Sequence, residues 1–302
     1  MSKVKIICTS TSAIEHAPER YQHYGIEYAR VHMTFKGKEY LEGLDLDPVK
    51  FYRELEVLED AKNNLPKTAI PSPIELTELL DKSRNEGYDE FLVFTISSGI
   101  SGAFTTFTAT AERYMEEHPE IKIHVIDTKV ASFSEGYHAI RAAEWLREGK
   151  SVEEVIKETE WAIKHQLLIG VDGKLDYLIY NGRLKGGKAF IGKMLGICPV
   201  VEFNEKGELV AVESVRTPKK ALVRMCERLK RIIGDRKPED YMLCHIFTGE
   251  SLIAKLREME GELGIETNHE PVIMNPTSGC HNGPWLAGYC LYFIRRPDEP
   301  LE

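Results

Sequence analysis

Apolar residues along this chain fall into short unbroken runs, separated by longer stretches in which they recur every three or four positions. Short runs suit strands buried on both faces, and the longer period suits amphipathic helices. Residues 3–8 predict a buried strand that runs into the hydroxyl-rich turn Thr9-Ser10-Thr11-Ser12. Residues 27–35 predict a second strand. Residues 48–60 predict a helix with Phe51, Leu55 and Leu58 on one face. The prolines at 66 and 71 hold the segment between them extended. Ser72-Pro73-Ile74-Glu75 combines a capping box with proline at the first helical position, so a helix is expected to about Asn85, before Gly87. Strands at 90–96 and 121–126 then alternate with helices at 103–117 and 134–147. That alternation is the pattern of a parallel α/β sheet.

Ser151-Val152-Glu153-Glu154 is a second capping box and opens a helix to about His165, after which the pattern changes. Asn181-Gly182-Arg183 reads as a turn and 187–195 as a short helix. Residues 199–203 and 208–215 flank Lys206-Gly207 as a hairpin. A helix at 218–233, a strand at 241–248, a helix at 251–263 and a strand at 271–274 follow. The expected fold is α/β with two domains. Residues 1–165 form a three-layer parallel-sheet domain, and 166–302 a smaller two-layer domain with a mixed sheet. The chain has 302 residues, a length that suits two modest domains.

Charge removes some functions from consideration. The formal net charge is −9, whereas nucleic-acid binding needs a clustered basic surface. The basic stretch at 224–237 is interrupted by Glu227 and Asp235 and reads as a solvated helix face. Six cysteines, at 8, 198, 226, 244, 280 and 290, include no C-x-x-C pair and read as reduced, buried thiols. The first apolar run is too brief for a signal peptide, and no run approaches a membrane span. A cytoplasmic protein is expected.

Hydroxyl residues gather where three predicted strands end: Thr9 to Ser12, Ser97-Ser98, and Asp127-Thr128. In open α/β sheets ligands bind at such carboxyl ends. Ser97-Ser98-Gly99-Ile100-Ser101-Gly102 also precedes a helix, whose free N–H groups favour an anion. The same pattern fits a merely structural strand–helix turn. Gly187 to Lys193 has P-loop spacing, but Met194 stands where magnesium needs Ser or Thr. Ser98-Gly99-Ile100-Ser101-Gly102 is only a weak match to a nucleophile elbow. Cys280-His281 is one adjacent pair and makes no zinc site, so neither metal nor cofactor is expected. His281, on a presumed glycine-rich turn at 277–284, can point into a cleft and donate a hydrogen bond. Arg183 can supply charge to a carboxylate or phosphate.

In order, these pieces resemble the DegV family. The matching segments are Thr9-Ser10-Thr11-Ser12, Pro66-Lys67-Thr68-Ala69-Ile70-Pro71-Ser72, and Ser97-Ser98-Gly99-Ile100-Ser101-Gly102-Ala103. Asp127-Thr128, Asn181-Gly182-Arg183 and His281-Asn282-Gly283-Pro284-Trp285 complete the set. The resemblance implies a bacterial fatty-acid-binding protein with one long-chain fatty acid between its domains. It implies that Thr68, Ser97 or Ser98, and His281 hold the carboxylate. It also implies that Arg183 faces a partner, a separate fatty-acid kinase that turns the presented acid into an acyl phosphate. On this reading the chain is not itself an enzyme, and the bound acid is a ligand rather than a cofactor. Ser10, Ala69, Ala103, Asn181 and Trp285 depart from the family pattern. The alternatives are a serine hydrolase or acyltransferase using Ser98 or Ser101 with His281 as base, or a binder of another small carboxylate.

Overall fold

A computed structural model describes residues 2–186 and 197–301. The first half of the chain contains β1 (Val4–Thr9), β2 (Glu27–Ala29), β3 (His32–Phe35), β4 (Lys38–Leu41), α1 (Pro48–Glu56), α2 (Ala61–Asn64) and β5 (Lys67–Ala69). It continues with α3 (Pro73–Asn85), β6 (Glu90–Thr95), α4 (Ala103–Glu117), β7 (Lys122–Asp127), α5 (Ser132–Arg147) and α6 (Val152–Lys164). The second half contains β8 (Gln166–Asp172), α7 (Asp176–Tyr180), β9 (Cys198–Phe203), β10 (Leu209–Val215), α8 (Pro218–Ile233), β11 (Tyr241–Phe247), α9 (Glu250–Leu263), β12 (Val272–Ile273), α10 (Pro276–Asn282) and β13 (Leu286–Phe293).

Three sheets result. Strands β2-β1-β6-β7 form a wholly parallel sheet. Its inner positions, Ile7, Phe91 and Val93, pack with Leu76, Leu80 and Phe107 of α3 and α4 on one face. On the other face Cys8, Leu92 and Phe94 pack with Phe133, Ala139 and Ile140 of α5. The second sheet, β10-β9-β8-β13-β11-β12, is mixed, with only β11 and β12 parallel. Helices α8 and α9 cover one of its faces, through residues such as Met225, Leu229, Ile253 and Leu256. Its other face meets α5, where the Ser134 hydroxyl lies 2.9 Å from the Cys290 thiol of β13. The fold is therefore α/β, with a parallel sheet and a separate mixed sheet.

The third sheet, β4-β3-β5, was only partly foreseen. The strand expected over 27–35 is broken between Ala29 and His32. There Arg30 turns to Glu15 and to the Glu42 carbonyl, while the Val31 N–H donates to the Ser10 hydroxyl at 2.9 Å. β2 stays in the parallel sheet and β3 leaves it. Lys36 and Gly37 both take positive φ, the geometry of a two-residue hairpin, and this produces β4. The extended segment at 66–71 closes the sheet as β5, pairing Thr68 with Met33. The small sheet and α1 pack across the chain onto Tyr177, Cys280 and Trp285 of the second half.

Both predicted capping boxes, at Ser72 and Ser151, are present. The helix expected at 187–195, with its P-loop-like spacing, lies outside the described residues. The presumed turn at 277–284 is instead helix α10, ended by Gly283 at φ +68°. Proline at its first position favours the helix. Gly279 allows close packing, because a Cβ there would lie 2.3 Å from the Tyr52 ring.

Candidate functional site

A cavity of about 310 Å³ opens where the carboxyl ends of β1 and β6 face the mixed sheet. Open α/β sheets bind ligands in this position. One wall is apolar and comes mainly from the mixed sheet: Leu168 and Gly170 of β8, Val201 and Phe203 of β9, Ile246 of β11 and Leu286 of β13. Gly170 leaves the floor low. A Cβ there would meet Ala287 and Leu286 only at 3.5 Å, ordinary contact distance.

The polar residues come from five separate segments: Thr9 and Thr11 at the end of β1, Thr68 from β5, Ser98 and Ser101 from the loop before α4, Arg183 after α7, and Thr277, Ser278, His281 and Asn282 from α10. Thr68 and His281, 213 positions apart, are in direct contact, with Oγ1 and Nε2 at 3.1 Å. Two buried groups fix the helix that carries His281. The Glu42 carboxylate accepts from the Thr277 N–H and hydroxyl, both at 2.6 Å. The Tyr52 hydroxyl donates to the carbonyls of Met274 and Asn275. Asn181, one of the family departures, donates to the Cys280 carbonyl at 2.8 Å and ties α7 to the same helix.

His281 Nδ1 is buried and has no hydrogen-bond partner among the described residues. Burial, with the nearby Arg183 charge, pushes the His281 pKa down to about 3, so the ring is neutral across the physiological range. Burial also lowers the Arg183 pKa from its usual value. Among the described residues no carboxylate pairs with Arg183; its guanidinium donates to the Asn181 carbonyl. Loop 97–102 leads into α4, whose first residue Ala103 also lines the cavity. A neutral imidazole, hydroxyls, a helix N-terminus and one guanidinium together form a site suited to a single anionic oxygen group.

Of the residues singled out from the sequence, Thr68, Ser98, Arg183 and His281 line this one cavity. Ser97 does not line it. Its hydroxyl donates to the Gly207 carbonyl at 2.7 Å and accepts from the Gly99 N–H at 3.1 Å, fastening the loop to the hairpin turn. Ser98 is exposed, and its hydroxyl accepts from Lys129, itself paired with Asp127. Ser101 also lines the cavity, and its hydroxyl accepts from the Ala103 N–H at 3.2 Å. No serine hydroxyl contacts the His281 ring among the described residues. Trp285 is outside the cavity lining, stacked under Lys174 and edge-on to Tyr177. Among the described residues no cluster suits a metal ion, and no helix is long and apolar enough to cross a membrane.

A second polar group combines the hydroxyl cluster expected after the first strand with a carboxyl not singled out from the sequence. Thr9 and Thr11 also line the cavity, and their hydroxyls turn to Glu135, a carboxyl of α5 with no exposed surface. The signal was available: Glu135 shares a helix face with Ala139 and Ala142, where a charged residue is out of place.

The family description "Uncharacterised protein, DegV family" matches residues 3–293. A DegV domain-containing protein of Clostridium perfringens is 31% identical over 265 residues, covering 87% of this chain and 90% of its own. One from Clostridium acetobutylicum is 30% identical over 293 residues, covering 96% and 99%. Among solved structures, a fatty-acid-binding DegV family protein from Streptococcus agalactiae aligns with a TM-score of 0.85 at 29% identity, over 98% of this chain and 100% of its own. DegV of Bacillus subtilis, a fatty-acid-binding protein, aligns with a TM-score of 0.80 at 26% identity, over 97% and 100%.

Proposed function

Because the chain belongs to the DegV family, we propose that it binds one long-chain fatty acid in this cavity and presents the carboxylate to a separate fatty-acid kinase. The observation that carries the reading is an apolar cavity whose polar side contains a half-buried Thr68–His281 pair beside Arg183. A buried carboxylate is costly unless several donors converge on it. Thr68 can receive a proton from His281 Nε2 and donate its own to the ligand, while Arg183 supplies the opposing charge. Ser101 joins this group on our reading, with Ser98 closer to the rim and Ser97 a support for the loop. The acyl chain would lie along Gly170, Val201 and Leu286, contributing about 0.8 kcal/mol per buried CH₂. The ligand sits between two α/β units that we divide near residue 165.

Presentation to a kinase, rather than turnover by this chain, suits a His281 ring whose hydrogen bond among the described residues goes to Thr68 and to no serine hydroxyl. Arg183, beside the cavity and half-buried, would then meet the incoming phosphoryl group or the kinase surface. The test is denaturing extraction of the purified protein followed by mass spectrometry for small lipids. A near-stoichiometric fatty acid is the expected result. A protein that is empty and takes up no added fatty acid defeats the reading. Acyl-phosphate formation on adding a fatty-acid kinase and ATP tests the partnership separately.

A further inference from the structure

We propose that Glu135 is a positioning residue of the ligand cavity, acting as a neutral carboxyl that closes a hydrogen-bonded ring with Thr9 and Thr11. Ionising it would open the wall against which the ligand lies. Only the choice of ligand rests on the fatty-acid reading.

The argument is a proton count. Three oxygen–oxygen contacts join the three side chains: Glu135 Oε1 with the Thr9 hydroxyl, Oε2 with the Thr11 hydroxyl at 2.7 Å, and Thr9 with Thr11 at 2.6 Å. If Glu135 is ionised, two hydroxyl protons serve three contacts, and one pair of oxygens is pressed together without a proton. If Glu135 is neutral, each contact has its own. The carboxyl donates to Thr9, Thr9 donates to Thr11, and Thr11 donates to Oε2. Thr9 can still accept from the Ile96 N–H at 3.3 Å, and Oε1 from the Cys8 thiol at 3.5 Å.

The surroundings favour the neutral form. Burial raises the Glu135 pKa to about 8, even against the hydrogen bonds that oppose the rise. Among the described residues no cation pairs with it. The buried and half-buried charges of the elements packed on α5 have other partners; Lys5 of β1 is held by Glu27. In the turn after Ala13, Glu15 is held by Arg30 and His16 by Glu42. Glu90 of β6 is held by His124, and Glu158 of α6 by Lys150 and Arg295. Within α5, His138 bonds Gln166 and Arg141 pairs with Glu144. β1 contributes the Cys8 thiol, itself pushed up by burial, and β13 the Cys290 thiol, in contact with Ser134, and the buried Tyr292 phenol, also pushed up by burial.

Gly136 lets α5 sit directly on the turn carrying Thr11, since a Cβ there would stand 2.5 Å from the Ser12 carbonyl oxygen and 2.6 Å from Ile14. Thr9 and Thr11 line the cavity and Glu135 does not, so disorder in the ring passes directly to the ligand-facing wall.

The test measures palmitate binding from pH 6.5 to 9.5 in the wild type and in Glu135→Gln, with thermal unfolding of both over the same range. The glutamine amide donates to Thr9 and accepts from Thr11, so it reproduces the neutral ring at every pH. Wild-type affinity should fall about tenfold by one pH unit above the Glu135 pKa, as the competent fraction falls. Glu135→Gln should stay flat. A flat wild type, or a Glu135→Gln variant with the same decline, overturns the proposal. So does a Glu135→Gln variant that does not fold, because the neutral isostere should be no less stable. If the wild type binds no palmitate at any pH, the fatty-acid reading fails. The ring is still decided, by whether wild-type stability falls towards pH 9 relative to Glu135→Gln.

Discussion

Two polar clusters line the same cavity and differ in how their hydrogen bonds are disposed. Around Thr68 and His281, polar atoms remain without partners: His281 Nδ1 is buried and unbonded among the described residues, and no described carboxylate pairs with Arg183. Around Glu135 the bonds close on one another, and no donor is left for a ligand. Buried polar groups are normally satisfied. On the proposed reading the cluster that falls short is where a ligand's oxygens bind, and the complete cluster is wall. The two also respond to pH in opposite directions, because the imidazole is held neutral against acid and the carboxyl neutral against base.

The contrast breaks most completely in Thr68→Val combined with His281→Ala. On the proposed reading Thr68 donates to the carboxylate, a bond worth about 1.5–3 kcal/mol, and His281 holds Thr68 in place, so fatty-acid affinity should fall about ten- to a hundredfold, as read by calorimetric titration. Unchanged binding would remove these residues from the site. Gly170→Leu should weaken binding at least tenfold by filling the floor, with the melting temperature held, since the backbone position is unstrained. Binding that survives this change would put the acyl chain elsewhere.

The pH contrast can be sharpened by thermal melts on the acid side. His281 has a folded pKa of about 3 against an ordinary value of 6.5. The unfolded chain therefore binds the extra proton throughout that window, and stability is lost as pH falls from 6.5 towards 3. His138, pushed down to about 4 by burial, adds a loss of the same sign. His281→Asn should make the acid slope shallower without abolishing it. The smallest effect separates neighbouring serines. Ser97→Ala should cost about 1 kcal/mol of stability with binding retained, whereas Ser101→Ala should weaken binding several-fold with stability retained. The reverse result would exchange their roles.

Much of the architecture was legible because local signals agreed. Capping boxes at Ser72 and Ser151 and a period near 3.6 placed α3, α4, α6 and α8 closely. β8 was hidden because its apolar run follows α6 with no glycine or proline to mark the change. β13 carries Gly288 in mid-strand, which weakens a strand signal, although the residue is needed: a Cβ there would lie 2.0 Å from the Ile169 carbonyl oxygen. At the site, the residue types at 68, 183 and 281 could be read as chemistry, but their convergence could not. It depends on β3 leaving the parallel sheet to pair with β5, and on a helix where a turn was expected. The division of labour among Ser97, Ser98 and Ser101 depends on which way each hydroxyl turns, and sequence does not carry that.

β13 is the last strand of the chain and lies in the interior of the mixed sheet, between β8 and β11. A chain emerging from the ribosome therefore has a second sheet without a middle until residues 286–293 are free. The helix bearing His281 comes only just before them. Until then the cluster around Met33 and Phe51 has no Cys280 or Trp285 to cover it. Long-range closure of this kind is slow and leaves apolar surface bare in the meantime. A chain made only as far as Asn275 thus has most of the cavity's apolar lining but only Thr68 of the Thr68–His281 pair. The helix and the strand that complete the cavity wall then arrive together.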